Sequence, residues 1–278
     1  MSRNCSFAEN EYDTYAIFTQ LYDSVHEGVI EDITFYLEEA RRGGLVLEVG
    51  CGTGRVLIPV AEAGIPVVGI DISIAMLGIC QRKIAELPVE VRGRIRLAEA
   101  DMRDFSFSER FGLIYLPNQT FLSLLTAEDQ IRALSNFRAH LRDGGRLAMD
   151  FFDPNIRVIG EDLGLLRGTT RTGRVGKSTG DELTRIDNDN KVVHWFKSAW
   201  EPKSQIVNHT VIIDELNPGG TVIGRHYMHH VLRWIYRYEF EHLLSRCGFE
   251  LEGLYSTPDR NPQTQMGQQL FWLARKIS

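Results

Sequence analysis

Cysteine is scarce and scattered in this chain. Cys5, Cys51, Cys80 and Cys247 are the four among 278 residues, with no CxxC pair and no Cys/His spacing of a zinc site. That argues against a disulfide-stapled scaffold and leaves no metal to expect. Basic charge is not in excess either: 31 Lys and Arg stand against 37 Asp and Glu, a formal net charge of −6. The broad attraction to phosphate backbones that most nucleic-acid binders use is therefore missing. No segment approaches the roughly 20 continuous apolar residues needed to span a bilayer. Residues 1–10 hold no apolar run of the signal-peptide kind, and there are no internal repeats. These absences predict a soluble, cytoplasmic protein with a small-molecule partner, no membrane and no nucleic acid.

What is present is a rhythm. Residues 12–40 have helical spacing, with Tyr15, Phe18, Leu21, Tyr22 and Val25 three and four apart, and Gly43-Gly44 ends the pattern. From there, short apolar runs alternate with helical stretches. The runs are 45–49, 66–70, 94–98, 113–116 and 146–152; the helices are 55–63, 73–84 and 129–141. Short apolar strands alternating with helices predict a parallel sheet covered on both faces. Between about 154 and 233 the pattern changes to β-branched alternation at 192–200, 205–215 and 224–235, with Asn217-Pro-Gly-Gly220 as a turn; these read as antiparallel strands. A helix at 239–246 and strands at 249–255 and 268–275 follow, the last two joined by a short return that suits antiparallel pairing. The expected fold is α/β, a Rossmann-like doubly wound, mostly parallel seven-stranded sheet. Its parts are an N-terminal helical cover (1–44), a cofactor-binding core (45–153), an antiparallel β insertion (154–235) and a completing helix and strand pair (236–278). The Arg- and Gly-rich stretch 165–190 reads as a solvated loop, with a lid as the alternative.

The densest chemical signal is Glu48-Val-Gly50-Cys51-Gly52-Thr-Gly54, between a buried strand and a helix. Glycines there let the backbone approach a ligand while helix N–H groups face it. The spacing is GxGxG, and Arg55 stands where a dinucleotide site has its third glycine, so a nicotinamide nucleotide is disfavoured. Asp71 ends the next strand and is placed to accept both hydroxyls of a ribose. Asp101 ends the third, placed to accept from an adenine amino group, with Met102 offering apolar contact. Cys51 reads as small filler in the turn.

Together with Gly69-Ile-Asp-Ile-Ser73, Ala100-Asp-Met-Arg-Asp104 and Leu141-Arg-Asp-Gly-Gly-Arg-Leu147, this turn resembles the class I S-adenosylmethionine-dependent methyltransferases. The opening Tyr12–Asp23 and the β insertion resemble the small-molecule branch containing sugar-amine N-methyltransferases and glycine N-methyltransferase. The resemblance implies S-adenosyl-L-methionine as cofactor, S-adenosyl-L-homocysteine as product and methyl transfer to a small acceptor, foremost an amine nitrogen. An O-methyltransferase, an RNA or protein methyltransferase and a noncatalytic cofactor-binding module are the alternatives. It implies Glu48 near the methionine amino group, Gly50, Cys51, Gly52 and Gly54 along the cofactor, Asp71 with Ile72 at the ribose, and Asp101 with Met102 at adenine. Tyr15 and Tyr22 would frame the transferring methyl, and Leu116 to Asn118 would edge the reaction site. The branch also admits a homodimer.

On the acceptor side, Asn118 and Phe121 are expected to touch substrate. His194, His209, His226, His229 and His230 are candidate bases. Neighbours on a strand point to opposite faces, so only one of His229 and His230 can face a pocket; His229 is the one chosen here.

Overall fold

The computed structural model describes Asp23 and residues 31–162, 184–186 and 190–277. Seven strands form the main sheet in the spatial order β10-β11-β5-β4-β1-β2-β3: β1 (Val46–Val49), β2 (Val67–Asp71), β3 (Ile95–Glu99), β4 (Phe111–Leu116), β5 (Leu141–Phe152), β10 (Phe249–Tyr255) and β11 (Gln269–Lys276). The first five run parallel; β11 is antiparallel to both neighbours, slotted between β10 and β5. Every residue of β1 and β4 is buried, as expected of inner strands of a sheet covered on both faces, and Glu48 is the one charged residue among them.

Alternation sorts the two faces. Val46, Leu113, Tyr115 and Ala148 pack with α1 (Glu31–Ala40) and α2 (Leu57–Glu62). Leu47, Ile114, Leu116 and Met149 pack on the other side with α5 (Ala127–His140) and α7 (Arg237–Arg246). In α5, Thr126 caps the first turn by accepting from the Asp129 N–H, and Gln130, Ala133, Leu134 and Phe137 form its inward stripe. Ser73 caps α3 (Ile74–Glu86) by accepting from the Met76 N–H. A short α4 (Val89–Arg92) after Pro88 was not expected from the sequence.

Four antiparallel strands form a second sheet in the order β6-β7-β8-β9: β6 (Thr184–Ile186), β7 (Asn190–Glu201), β8 (Ile206–Leu216) and β9 (Val222–Arg233). Three long antiparallel strands agree with the expected insertion. Two details differ from expectation. A helix, α6 (Ile156–Asp162), opens the segment, started by Asn155, whose Oδ1 accepts from the Arg157 and Val158 N–H groups. The three-residue β6 lies in what read as loop. The second sheet rests on the main one through Val207, Leu232 and Trp234, which share a core with Phe151, Phe240 and Trp272. Trp200 sets its ring edge-on to Phe152 at 6.1 Å and to Trp234 at 5.1 Å. Arg233 fastens the junction, donating to Gln130 on α5 at 2.9 Å and to Glu239 on α7 at 3.1 Å.

Candidate functional site

The carboxyl ends of β1, β2, β4 and β5 lie along one edge of the sheet, where open α/β folds bind ligands. The glycine turn sits at the end of β1. Gly50, Gly52 and Gly54 all have positive φ, 72°, 52° and 87°. Gly50 is required for space as well as conformation: a Cβ there would lie 2.4 Å from Thr120 Cγ2. At Gly52 a Cβ would meet nothing within 4 Å, so this stretch of backbone forms an open cradle. Asp71, at the end of β2, accepts from the Gly52 N–H through Oδ2 and from the Ser73 N–H through Oδ1, both at 2.8 Å. Each carboxylate oxygen retains the capacity to accept a further hydrogen bond. Burial pushes the Asp71 carboxyl up, and its backbone hydrogen bonds oppose that shift.

Beneath the turn, sheet register produces a row of acids. Glu48 on β1 pairs in register with Tyr115 on β4, so both point to the α1 side, and the Tyr115 hydroxyl donates to Glu48 Oε2 at 2.7 Å. Glu48 is buried, and desolvation raises its carboxyl to about 8. Asp150, two residues beyond the Ala148 that pairs with Tyr115, shares that face. The buried Asp150 accepts from Tyr36 and Gln269 side chains and, at 2.9 Å, from the Asn118 N–H; its backbone carbonyl accepts from the Gln119 N–H at 3.0 Å. Asn118 and Gln119 both have left-handed backbone, φ 55° and 63°, an uncommon state for non-glycine residues. Asp150 thus holds the turn after β4 in a strained shape at the site's rim. Desolvation, with Asp32 adding to it, raises its carboxyl to about 6 against the hydrogen bonds that favour the charged form.

The cover reaches the turn at two places. Arg55 pairs bidentately with Asp32 of α1 at 2.7 and 2.6 Å. Thr53 donates to Asp23 at 2.7 Å, and Lys83 pairs with Asp23 at 2.6 Å. Tyr15 and Tyr22 lie outside the described residues, as do 165–183 of the Arg-rich stretch; Asp23 follows Tyr22 directly in the chain.

The remaining sequence candidates fall as follows. Asp101 is held by Arg103, which donates from its backbone at 2.8 Å and from its guanidinium at 2.6 to 3.1 Å, and those hydrogen bonds lower the Asp101 carboxyl. Met102 is half-buried beside it, and Ile72 is exposed at the mouth of the turn. Cys51 is buried with its thiol pushed up by desolvation, as suits filler. Leu116 is fully buried and presents its carbonyl to the Tyr36 hydroxyl at 3.3 Å. Two expectations need correction. Phe121, in the 3-10 turn Thr120–Ser123, is fully buried with its ring 5.4 Å from Phe240, so it packs in the core and is not available to a substrate. His229 is exposed on the outer face of β9, beside Thr210 at 3.2 Å, whereas His230 points inward. The residues missed by the sequence reading are Asp150, Tyr36, Tyr115 and Thr120. An acid inside the apolar run Ala148-Met-Asp-Phe-Phe152 was the available signal for the first.

The arrangement fits an adenosyl-type ligand: an open backbone cradle, a strand-end carboxylate for vicinal hydroxyls and a buried carboxyl suited to a cationic amino group. Among the described residues no group of three or more His, Cys, Asp or Glu could hold a metal. Comparison with known proteins gives the same direction. The family described as "Methyltransferase domain" matches residues 46–145. The chain is 34% identical over 112 residues to the cypemycin N-terminal methyltransferase of a Streptomyces species, a match covering 40% of this chain and less than half, 43%, of that enzyme. It is 28% identical over 223 residues to the dTDP-3-amino-3,6-dideoxy-alpha-D-glucopyranose N,N-dimethyltransferase of Streptomyces fradiae, covering 75% of this chain and 81% of that one. In structure it is similar to S-adenosylmethionine-bound CalS10, an amino pentose methyltransferase of Micromonospora echinaspora, with TM-score 0.65, 21% identity and the full length of both chains covered.

Proposed function

We propose that the chain is a class I S-adenosylmethionine-dependent methyltransferase and that it methylates the amine nitrogen of a small, hydroxyl-bearing acceptor of the amino-sugar type. The observation that carries the reading is the union of two parts. One is the cofactor edge built from Glu48, Gly50–Gly54 and Asp71. The other is the second sheet, seated through Trp200 and Trp234 at the carboxyl end of β5, a position that supports its walling the reaction side. The likeness to an N,N-dimethyltransferase over most of its length supports nitrogen as the target.

S-adenosylmethionine, when bound, supplies a methyl group on a positively charged sulfur that needs no further activation. The work left to the protein is alignment, exclusion of water and disposal of one proton. In this reading Asp71 accepts from the ribose hydroxyls, Glu48 faces the methionine amino group, and the Gly50–Gly54 backbone lies along the cofactor. The turn at Asn118, held by Asp150, sets the rim from which the acceptor amine approaches as its neutral form. Asp101 and Met102 keep the adenine side. Tyr15 and Tyr22 frame the methyl, a role that the position of Asp23 at Thr53 supports. The proposal extends to a cytoplasmic enzyme able to form a homodimer, which light scattering on the purified protein reads.

The test is incubation with S-adenosylmethionine, dTDP-3-amino-3,6-dideoxyglucose and a panel of other small amines and alcohols, with products followed by mass spectrometry. Mono- and dimethylated amines are the expected products. Methylation of hydroxyls alone would transfer the reading to oxygen, and cofactor binding without turnover would reduce it to a binding module.

A further inference from the structure

The inward face of the second sheet carries a polar group between apolar neighbours, apart from the His226–Glu215 pair farther from the main sheet. Directly opposed residues share a face. The registers Ser198↔His209 and His209↔His230 therefore put Ser198, His209 and His230 side by side across β7, β8 and β9. Their neighbours on that face are Trp200, Val207 and Leu232 toward the main sheet and Val211 with Met228 on the far side. Those toward the main sheet are committed to the junction, since Val207 and Leu232 belong to the shared core and Trp200 meets Phe152.

The cluster stands one ring from the carboxyl end of β5: His209 lies edge-on to Trp200 at 6.4 Å, and Trp200 in turn lies against Phe152. Ser198 Oγ and His209 Nδ1 are 2.9 Å apart. His230, half-buried, makes no side-chain hydrogen bond among the described residues. Burial lowers both imidazoles, and for His230 the neighbouring His209 adds to the shift, which brings it to about 4. Both are consequently neutral at physiological pH, each ring having one N–H donor and one nitrogen acceptor.

We propose that Ser198, His209 and His230 form the acceptor-recognition subsite, hydrogen-bonding uncharged hydroxyl or neutral amine groups of the substrate. The chemistry follows from the donor set. Two neutral imidazoles and a hydroxyl both give and accept hydrogen bonds, matching vicinal hydroxyls; they offer no charge to a carboxylate or phosphate. The assignment rests on the methyltransferase reading above and names the residues on which its acceptor selectivity depends.

The experiment compares wild type with His230→Phe, His209→Phe and His230→Gln, using the amine that the wild type methylates best in the panel. S-adenosylhomocysteine affinity is measured by calorimetry and folding by thermal melting. The expected result is an acceptor KM raised about tenfold or more by each Phe variant, as loss of a hydrogen bond to a buried polar partner produces. S-adenosylhomocysteine affinity should stay within about twofold, because these residues do not touch the cofactor edge, and His230→Gln, which keeps a donor and an acceptor, should recover part of the loss. An unchanged acceptor KM in folded Phe variants overturns the subsite alone. Parallel loss of cofactor affinity and thermal stability, unrelieved by Gln, assigns the histidines to packing and overturns it too. A wild type that binds cofactor yet methylates no amine overturns the amine reading and the subsite together.

Discussion

Glu48 is a carboxyl in an apolar setting with a tyrosine hydroxyl for company, and its consequence is a dependence on pH. A carboxyl whose folded-state pKa is raised binds its proton more tightly in the folded chain than in the unfolded one. Its contribution to stability is then fully present below the ordinary carboxylate range and is lost as pH rises through about 8. Glu48→Gln should flatten that part of the stability profile, measured by denaturant titration across pH. If Glu48 meets the cofactor's ammonium group, binding favours the carboxylate and releases a proton near neutral pH. Calorimetry in two buffers of different ionisation heat should register the release in wild type and none in Glu48→Gln. Asp71→Ala removes the acceptor for the ribose and should weaken S-adenosylhomocysteine by about tenfold or more, the scale of a hydrogen bond to a charged group. An unchanged dissociation constant would reject the ribose role.

At the scale of the element, the glycine turn separates conformation from space. Gly50→Ala meets both a left-handed φ and Thr120, and should cost about 1–3 kcal/mol in stability. Gly52→Ala meets only the left-handed φ, at about 1–2 kcal/mol, but its Cβ projects into the cradle, so its larger effect should be on cofactor affinity. Thermal melts with and without S-adenosylhomocysteine distinguish the two, since ligand raises the melting temperature only where it still binds. The turn, Asp71 and the strand–helix alternation were legible in the sequence because each depends on local chemistry: glycine spacing, a strand-end acid, an apolar run. The acid row was not. Glu48, Tyr115 and Asp150 meet only through register between strands far apart in sequence, which no local pattern reveals. The same holds for Phe121, which follows the fourth strand closely yet turns into the core against a helix more than a hundred residues onward. Alternation did foretell that His229 and His230 part company, but which faces inward depends on how the second sheet is seated.

The molecule as a whole joins a seven-stranded sheet to a four-stranded one, and among the described residues no helix is long and apolar enough to cross a membrane. Trp200 is the hinge pin of that junction, touching Phe152, Trp234 and His209. Trp200→Ala should leave the affinity for S-adenosylhomocysteine nearly unchanged, because the glycine turn is untouched, while turnover of the acceptor falls as its wall loosens. Calorimetry beside steady-state kinetics checks the split, and a matching loss of both would place Trp200 in the cofactor site instead.

Strand β11 enters the sheet between two partners that precede it, and its first residue, Gln269, donates to Asp150. The rim turn at Asn118 is therefore completed by a side chain 119 positions further along than the acid it steadies. Strands β1 to β4 lie close together in sequence, whereas the full hydrogen-bond set of Asp150 includes a partner on β11. Such long-range closure is slow. The edge formed by β1 and β2 accordingly depends on contacts nearer in sequence than those that complete the turn held by Asp150.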